Sequence, residues 1–302
     1  MRFMTSAGIH PKSVIVSVII PVYNDSERLQ KCLHALENQT YPKADFEVIV
    51  VDNGSDESID SVVGAYPQAN VFREAQPGSY IARNEGIAHA KGEIVAFTDA
   101  DCIPAADWLE IGVAALLGTP GCGLVGGRVD VFYSDPERPG SVELYDASRG
   151  FRQEKYIAVD HFGATANMFT FRALFAKLGA FDPGLKSYGD VEWGRRVAAH
   201  GYGLVYADAA VVAHPARDTL LALSRRILRV VGGRHDMKLR NLHSERDSAT
   251  LSSIPDTIAS VWQDPRLRTV GQKSRVLAVI GFVQCLKLYE DCRLRLGGAP
   301  RR

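Results

Sequence analysis

From residue 14 onward, short apolar runs alternate with stretches whose apolar residues recur at helical spacing. "VIVSVIIP" (14–21), "FEVIVVDN" and "EIVAFTD" are near-continuous apolar runs and predict buried strands. Between the first two, "SERLQKCLHALENQ" carries Leu29, Cys32, Leu33 and Leu36 at i, i+3, i+4 and i+7, the stripe of an amphipathic helix. "DESIDSVVGAY" predicts a short helix, "NVFRE" a weaker strand, and "SYIARNEGIAHAKG" a helix that ends at Gly92. Strand–helix alternation of this kind predicts an α/β protein with a mostly parallel sheet covered on both faces.

Past residue 121 the pattern loosens. "CGLVGGRVDVFY" predicts one more strand, residues 134–161 read as irregular, and residues 163–215 alternate loop, helix and short strands. "TLLALSRRILRVVGG" (219–233) is an amphipathic, basic helix. Residues 234–256 are polar and read as a linker or mobile loop, and a last helical segment covers about 270–296. The run "VLAVIGFV" (276–283) is too short for a bilayer span, which needs about 20 residues.

Bulk composition removes several function classes. Thirty-five basic and 35 acidic side chains cancel, so charge gives no support to nucleic-acid binding. Five cysteines, odd in number and never spaced C-x-x-C, suit a reducing compartment without a disulfide frame or zinc site. The first 13 residues lack the apolar core of a signal peptide. A cytoplasmic location is the expectation.

In open α/β sheets ligands bind beyond the carboxyl ends of the strands. Here those ends read "PVYND" (21–25), "DNGSD" (52–56) and "DADC" (99–102), all turn-forming and rich in acceptors. Asp99 and Asp101 lie two apart where a core strand surfaces, so both can turn to one point. Two hard oxygen donors there suit Mg²⁺ or Mn²⁺ shared with a diphosphate, whose leaving charge the metal neutralises. An Asx-turn followed by a solvated acid would also write this pattern.

"VSVIIPVYN", "VIVVDNGSDE", "GSYIARNEGIAHAKGEIVAFTDAD" and "GDVEWGRR" occur in that order, and together they resemble the family 2 glycosyltransferases. These are nucleotide-sugar-dependent enzymes of GT-A fold, and the resemblance covers about residues 14–216. It implies a Rossmann-like GT-A domain with a nucleotide-binding half (about 14–132) and an acceptor half (about 133–216). A tail precedes it (1–13), and a helical extension follows (217–302).

By that resemblance, Pro21, Tyr23 and Asn24 hold the nucleotide base, Asp52 accepts from it, and Arg83 and Asn84 face the nucleotide. Asp99 touches ribose or metal, Asp101 holds Mn²⁺ or Mg²⁺, and His214 is a candidate to complete the metal shell. Asn167 and Met168 in "GATANM" line the sugar pocket. An inverting transfer also needs a base for the acceptor hydroxyl, and Asp190 aligns with the family's base, with Glu192 as understudy. Residues i and i+2 of a helix point about 200° apart, so only one of the two can face the site. The family usually places two adjacent acids here, whereas this chain has Gly189 before Asp190. Asp190 also reads as a helix N-cap.

The resemblance implies transfer of a sugar from a nucleotide-diphosphate donor, UDP first by family habit, to a glycan or lipid-linked hydroxyl acceptor. Acceptor choice is expected in residues 134–170 and the C-terminal third. Arg225, Arg226, Arg229 and Arg234 could serve a diphosphate, anionic lipid head groups, or only a solvated helix face. Two rivals stand beside this reading. A sugar nucleotidyltransferase would need a glycine-rich basic loop where this chain has "PVYNDSERL". A degenerate, non-catalytic binder is favoured only by Gly189.

Overall fold

A computed structural model describes residues 14–240, 242 and 254–301. Its strands are β1 (Val16–Val22), β2 (Phe46–Asp52), β3 (Ala69–Arg73), β4 (Ile94–Phe97), β5 (Ile103–Pro104), β6 (Cys122–Phe132), β7 (Met168–Phe171) and β8 (Gly203–Pro215). They form one sheet in the order β3-β2-β1-β4-β7-β6-β8-β5. The nucleotide-binding half, β3 to β4, is parallel throughout. β7 then enters antiparallel to both β4 and β6, while β6 and β8 run parallel. The sheet is therefore mixed, parallel where the sequence is a regular strand–helix repeat.

Period-two alternation sorts the strand side chains between two cores. Val16, Val18, Ile20 and Val22 point to one face, with Ile94 and Ala96, and meet α1 (Ser26–Glu37), α2 (Asp60–Val63) and α4 (Trp108–Gly118). Ile19, Ile49, Val51, Val95 and Phe97 point to the other, against α3 (Ser79–His89). Two later helices cover that second face. Both faces being dry, β1, β2 and β4 had to be apolar almost throughout.

Pro21 shows how the strand ends open. Ile19 O accepts from Thr98 N, so Ile19 and, by alternation, Pro21 face β4. The β1–β4 ladder stops at Ile19 opposite Phe97, so the N–H that Pro21 lacks has no partner to lose. Past that point the two strands part and leave the crevice into which "DADC" projects.

The stretch read as irregular, 134–161, holds α5 (Ser141–Ser148), α6 (Gln153–Lys155) and a π-turn at Tyr156–Asp160. Then come α7 (Arg172–Leu178), α8 (Gly189–Ala199), α9 (Leu220–Leu239), α10 (Ile254–Gln263) and α11 (Val270–Arg295). The expected loop at 234–256 needs correction, because α9 runs on through Arg234 to Leu239, with Met237 buried. The rest of that expected loop lies largely outside the described residues. A third core joins α5 to α9, α10 and α11 through Leu144, Leu223, Ile227, Val261, Val276 and Val283. Among the described residues no helix is long and apolar enough to cross a membrane.

One close approach in the main core gives a direct stability test. A Cβ on Gly112 of α4 would overlap the ring of Phe169, which is fully buried in β7 beside Trp108. Gly112→Ala is expected to destabilise by about 1–3 kcal/mol, the usual cost of overpacking. A Tm lowered by several degrees in a thermal melt is the expected reading.

Candidate active site

Three turns at the carboxyl edge of the sheet build the site. The first is held by the second: Asn24, at φ +49°, donates Nδ2–H to Asp56 (2.9 Å) and accepts from Asp56 N (2.7 Å). Its own N–H donates to Ser55 Oγ. Asn24 therefore clamps the β1 and β2 turns together. Tyr23 beside it is 62% exposed, a free aromatic face at the mouth of the crevice. Asp52 is buried at the end of β2, and its Oδ1 accepts from Ser55 N (2.9 Å), an Asx-type turn.

The third turn carries the acids. Arg83 of α3 is buried, and its Nη2 donates to Asp99 Oδ1 while Nη1 donates to Ser79 O. Arg83 Nε is buried with no partner. Asn84 turns the other way and makes a two-way bond with the backbone of Phe181, so it anchors a loop instead of facing a nucleotide.

Asp99, Asp101, Cys102 and His214 bring potential ligand atoms within 4.8 Å of one another. His214, near the end of β8, donates Nδ1–H to Pro215 O (2.7 Å). That bond aims Nε2 toward Asp101 Oδ2, 3.7 Å away. Burial pushes the Asp101 carboxyl up; His214 pulls it down, Asp99 adds to the rise, and Arg28 opposes it. Burial drives the Cys102 thiol well up, and so does that of Cys32, whose Sγ lies 3.7 Å from Asp99 O. A thiol is also a soft donor, less suited than carboxylate oxygen to Mg²⁺ or Mn²⁺. Two carboxylates and an imidazole nitrogen converging at one point are a donor set that fits Mg²⁺ or Mn²⁺, with Arg83 on Asp99 and Arg28 3.9 Å from Asp101 offsetting part of the acid charge.

Asp190 sits apart from this cluster, at the second residue of α8. The N-cap position belongs to Tyr188, at φ +70°, so Asp190 is not the cap its sequence context also allowed. Its Oδ1 accepts from Tyr80 O–H (2.8 Å) and from Val191 N (3.0 Å). Burial raises the Asp190 carboxyl above the usual range, against the Tyr80 hydrogen bond, the Arg83 charge and the backbone of Val191 and Thr165. Glu192 is held by Arg196 through two oxygens, and Arg196 also donates to Leu178 O and Ala180 O. Glu192 is thus committed to a structural pair and is corrected as an understudy.

Asn167 and Met168 are also corrected, both being fully buried. Asn167 donates to Arg128 O and Ala210 O (2.8 Å each) and accepts from Trp108 Nε1 (2.8 Å). Both its N–H donors and its carbonyl oxygen are used in knotting β6, β8 and α4, and Met168 fills the core under β4. Neither presents an atom to a sugar.

Three contacts have no sequence signal. Tyr80 reads as an apolar position of α3, yet its hydroxyl reaches Asp190. Phe151 packs tilted against the His214 ring at a centroid distance of 5.1 Å. Asp146 of α5 is buried and shared by Arg217 (3.0 Å), just past β8, and Arg226 (3.4 Å) of α9. Only a fold brings these pairs together, since their members lie 63 to 110 residues apart or join separate helices.

Comparison with known proteins matches this geometry to one family. The glycosyl transferase family 2 profile matches residues 17–179, more than half of the chain. Glycosyltransferase AglE of Haloferax volcanii is 41% identical over 207 residues, 67% of this chain and 67% of AglE. The pre-mycofactocin glycosyltransferase of Mycobacterium tuberculosis is 29% identical over 215 residues, 68% of this chain but 43% of that protein. Among solved structures, mannosyltransferase PcManGT of Pyrobaculum calidifontis, in complex with GDP-Man and Mn²⁺, superposes with a TM-score of 0.65. The alignment has 21% identity and covers 94% of this chain and 87% of PcManGT. TarS 1-349 of S. aureus gives a TM-score of 0.54 at 17% identity, covering 94% and 92%. The structural likenesses carry the GT-A fold, and the sequence matches carry the family: the chain belongs to glycosyl transferase family 2 and is a glycosyltransferase.

Proposed function

We propose that the protein is an inverting transferase that moves a sugar from a nucleotide-diphosphate donor, UDP-linked by family habit, to a hydroxyl acceptor. The observation that carries this reading is the separation of two acid sites. Asp99, Asp101 and His214 converge at one point, and Asp190 stands on another segment, linked to the first through Arg83 and Tyr80. A bound Mg²⁺ or Mn²⁺ would neutralise the charge that develops on the departing diphosphate. Asp99, Asp101 and His214 would hold it. Tyr23 and Asp52 would take the base, and the clamped Asn24 turn would fix the first strand end against it. Asp190 would accept the proton of the acceptor hydroxyl as its oxygen attacks the anomeric carbon.

A cleft of about 680 Å³ opens beside this site, with Tyr133, Phe151, Tyr206, Arg128, Arg152 and Arg266 in its wall. Through Phe151 it touches the His214 ring, which supports it as the acceptor's seat. Aromatic faces and cations there suit a sugar or a phosphate-bearing glycan. The test of the whole reading is a thermal-shift series of UDP, GDP, dTDP and CMP with and without Mn²⁺. Stabilisation by one nucleotide that needs the metal supports it, and no shift in any condition removes it.

We also propose peripheral work at the cytoplasmic face of an anionic membrane, as a lipid-linked acceptor would demand. Leu221 (61% exposed) and Leu239 (71%) stand out from α9 and Leu288 (56%) from α11, and α9 also carries Arg225, one turn after Leu221, and Arg229. Neither arginine has an ion-pair partner among the described residues. Co-sedimentation with anionic phospholipid vesicles is the measurement. Arg225→Glu with Arg229→Glu is expected to weaken binding more than about tenfold, at roughly 1 kcal/mol per surface charge. Equal sedimentation with neutral vesicles would remove the proposal.

A further inference from the structure

Asp190, like Asp99, is held by a side chain of α3, and its holder is a neutral hydroxyl instead of a guanidinium. We infer that Tyr80 is the positioning residue of the base: its phenolic O–H aims the Asp190 carboxylate, in the space where Gly189 leaves no side chain. This rests on the reading of Asp190 as the base.

The geometry is specific. Tyr80 O–H donates to Asp190 Oδ1 at 2.8 Å, and the Tyr80 ring is buried, tilted against Phe181 at a centroid distance of 5.4 Å. A Cβ on Gly189 would lie 2.7 Å from Tyr80 Cδ2 and 2.8 Å from Cε2 and Cγ, closer than real contacts allow. Any side chain at 189 would therefore displace the tyrosine. Gly189 and Tyr80 form a matched pair, and the absent first acid is explained by the ring that fills its place. The loss does not mark a degenerate site, because a donor to the carboxylate has replaced a like charge beside it.

A like charge next to Asp190 would raise its proton affinity, whereas a hydrogen bond from a neutral hydroxyl favours the ionised form. The groups facing Asp190 are few. Tyr80 and Arg83 come from α3, the backbone of Val191 from α8, and the backbone of Thr165 from the loop before β7. Tyr80 is itself pushed well above the usual phenol range by burial and by the Asp190 charge, so it remains a donor at any working pH. The Arg83 guanidinium lies 5.6 Å over the Tyr80 ring and also donates to Asp99. One chain of contacts thus runs from the donor-side acid to the base: Asp99, Arg83, Tyr80, Asp190.

Tyr80→Phe keeps the ring and its fit to Gly189 and removes only the hydroxyl. The experiment is ¹³C NMR of aspartate-labelled protein, with the Asp190 signal assigned by its loss in Asp190→Asn. The Asp190 midpoint is expected to rise in Tyr80→Phe by about one unit, a tenfold change in proton affinity. The acid limb of nucleotide release from UDP- or GDP-sugars should move up with it, while KM for the donor stays put. An unmoved midpoint overturns the inference, even where Asp190→Asn is inactive and the base reading stands. Full turnover by Asp190→Asn instead removes that reading, and the inference falls with it.

Discussion

Asp101→Ala is expected to abolish metal-dependent stabilisation by nucleotide while leaving the protein folded. In the wild type, a nucleotide at 100 times its Kd with Mn²⁺ adds about 2.7 kcal/mol, a Tm rise of several degrees. Asp101 is central to the donor set: His214 Nε2 lies 3.7 Å from it, Arg28 Nη1 lies 3.9 Å from it, and Asp99 adds a like charge. Without it, one carboxylate and one imidazole remain, too few hard donors to hold the ion against water.

The metal-free variant should melt at the wild-type temperature or above it. Asp101 has its folded pKa raised by burial, so the folded state binds more protons than the unfolded one between the two pKa values. Stability from this group therefore falls as pH rises through that window and is lowest at neutral pH. Alanine removes the cost. A variant that keeps the wild-type shift, or a wild type that shifts equally without metal, would show that these acids do not serve a cation.

The regular half of the fold was legible because its physics is local. Strands dry on both faces read as unbroken apolar runs, and each is followed by a helix with a clear stripe or a turn rich in acids. The strand-end acids stood out for the same reason, being polar where the run stops. α5 was missed because it has no stripe: residues 142–147 are all buried, Glu143 and Asp146 included, between the C-terminal helices and the sheet. The 3.6 period marks a helix only when one side meets water.

The site residues divide in the same way. Asn167 was read as a sugar contact from its motif, but its partners lie 39, 43 and 59 residues away, and they decide its role. Tyr80 could not be found from sequence at all. An aromatic on the apolar side of a helix is the ordinary sign of core, and only the arrival of Asp190 from 110 residues along the chain gives its hydroxyl a task. Gly189 looked like a defect in the motif until that ring was placed against it.

Asp190→Asn is expected to lower turnover by about 10²- to 10⁴-fold, the usual contribution of a positioned general base, with donor binding retained. The amide keeps the shape of the carboxyl, and its oxygen still accepts from Tyr80 O–H and Val191 N, so the site should not rearrange. What it loses is the ability to take a proton from the acceptor hydroxyl. The variant should also be as stable as the wild type at neutral pH, or more so. Burial raises the folded-state pKa of Asp190, so its contribution to stability declines as pH climbs from the unfolded value through the folded one. Holding the carboxylate ionised at neutral pH therefore costs the fold something, a cost that is common where groups are set for chemistry rather than for stability. The wild-type rate should fall on the acid side at a pH above that of an exposed aspartate, because the raised group must be ionised to act. Measured together, a collapsed turnover, an unchanged nucleotide shift and an undiminished Tm would assign Asp190 to the proton step alone. A parallel loss of nucleotide binding would instead place it in the donor site, and the acceptor base would have to come from elsewhere.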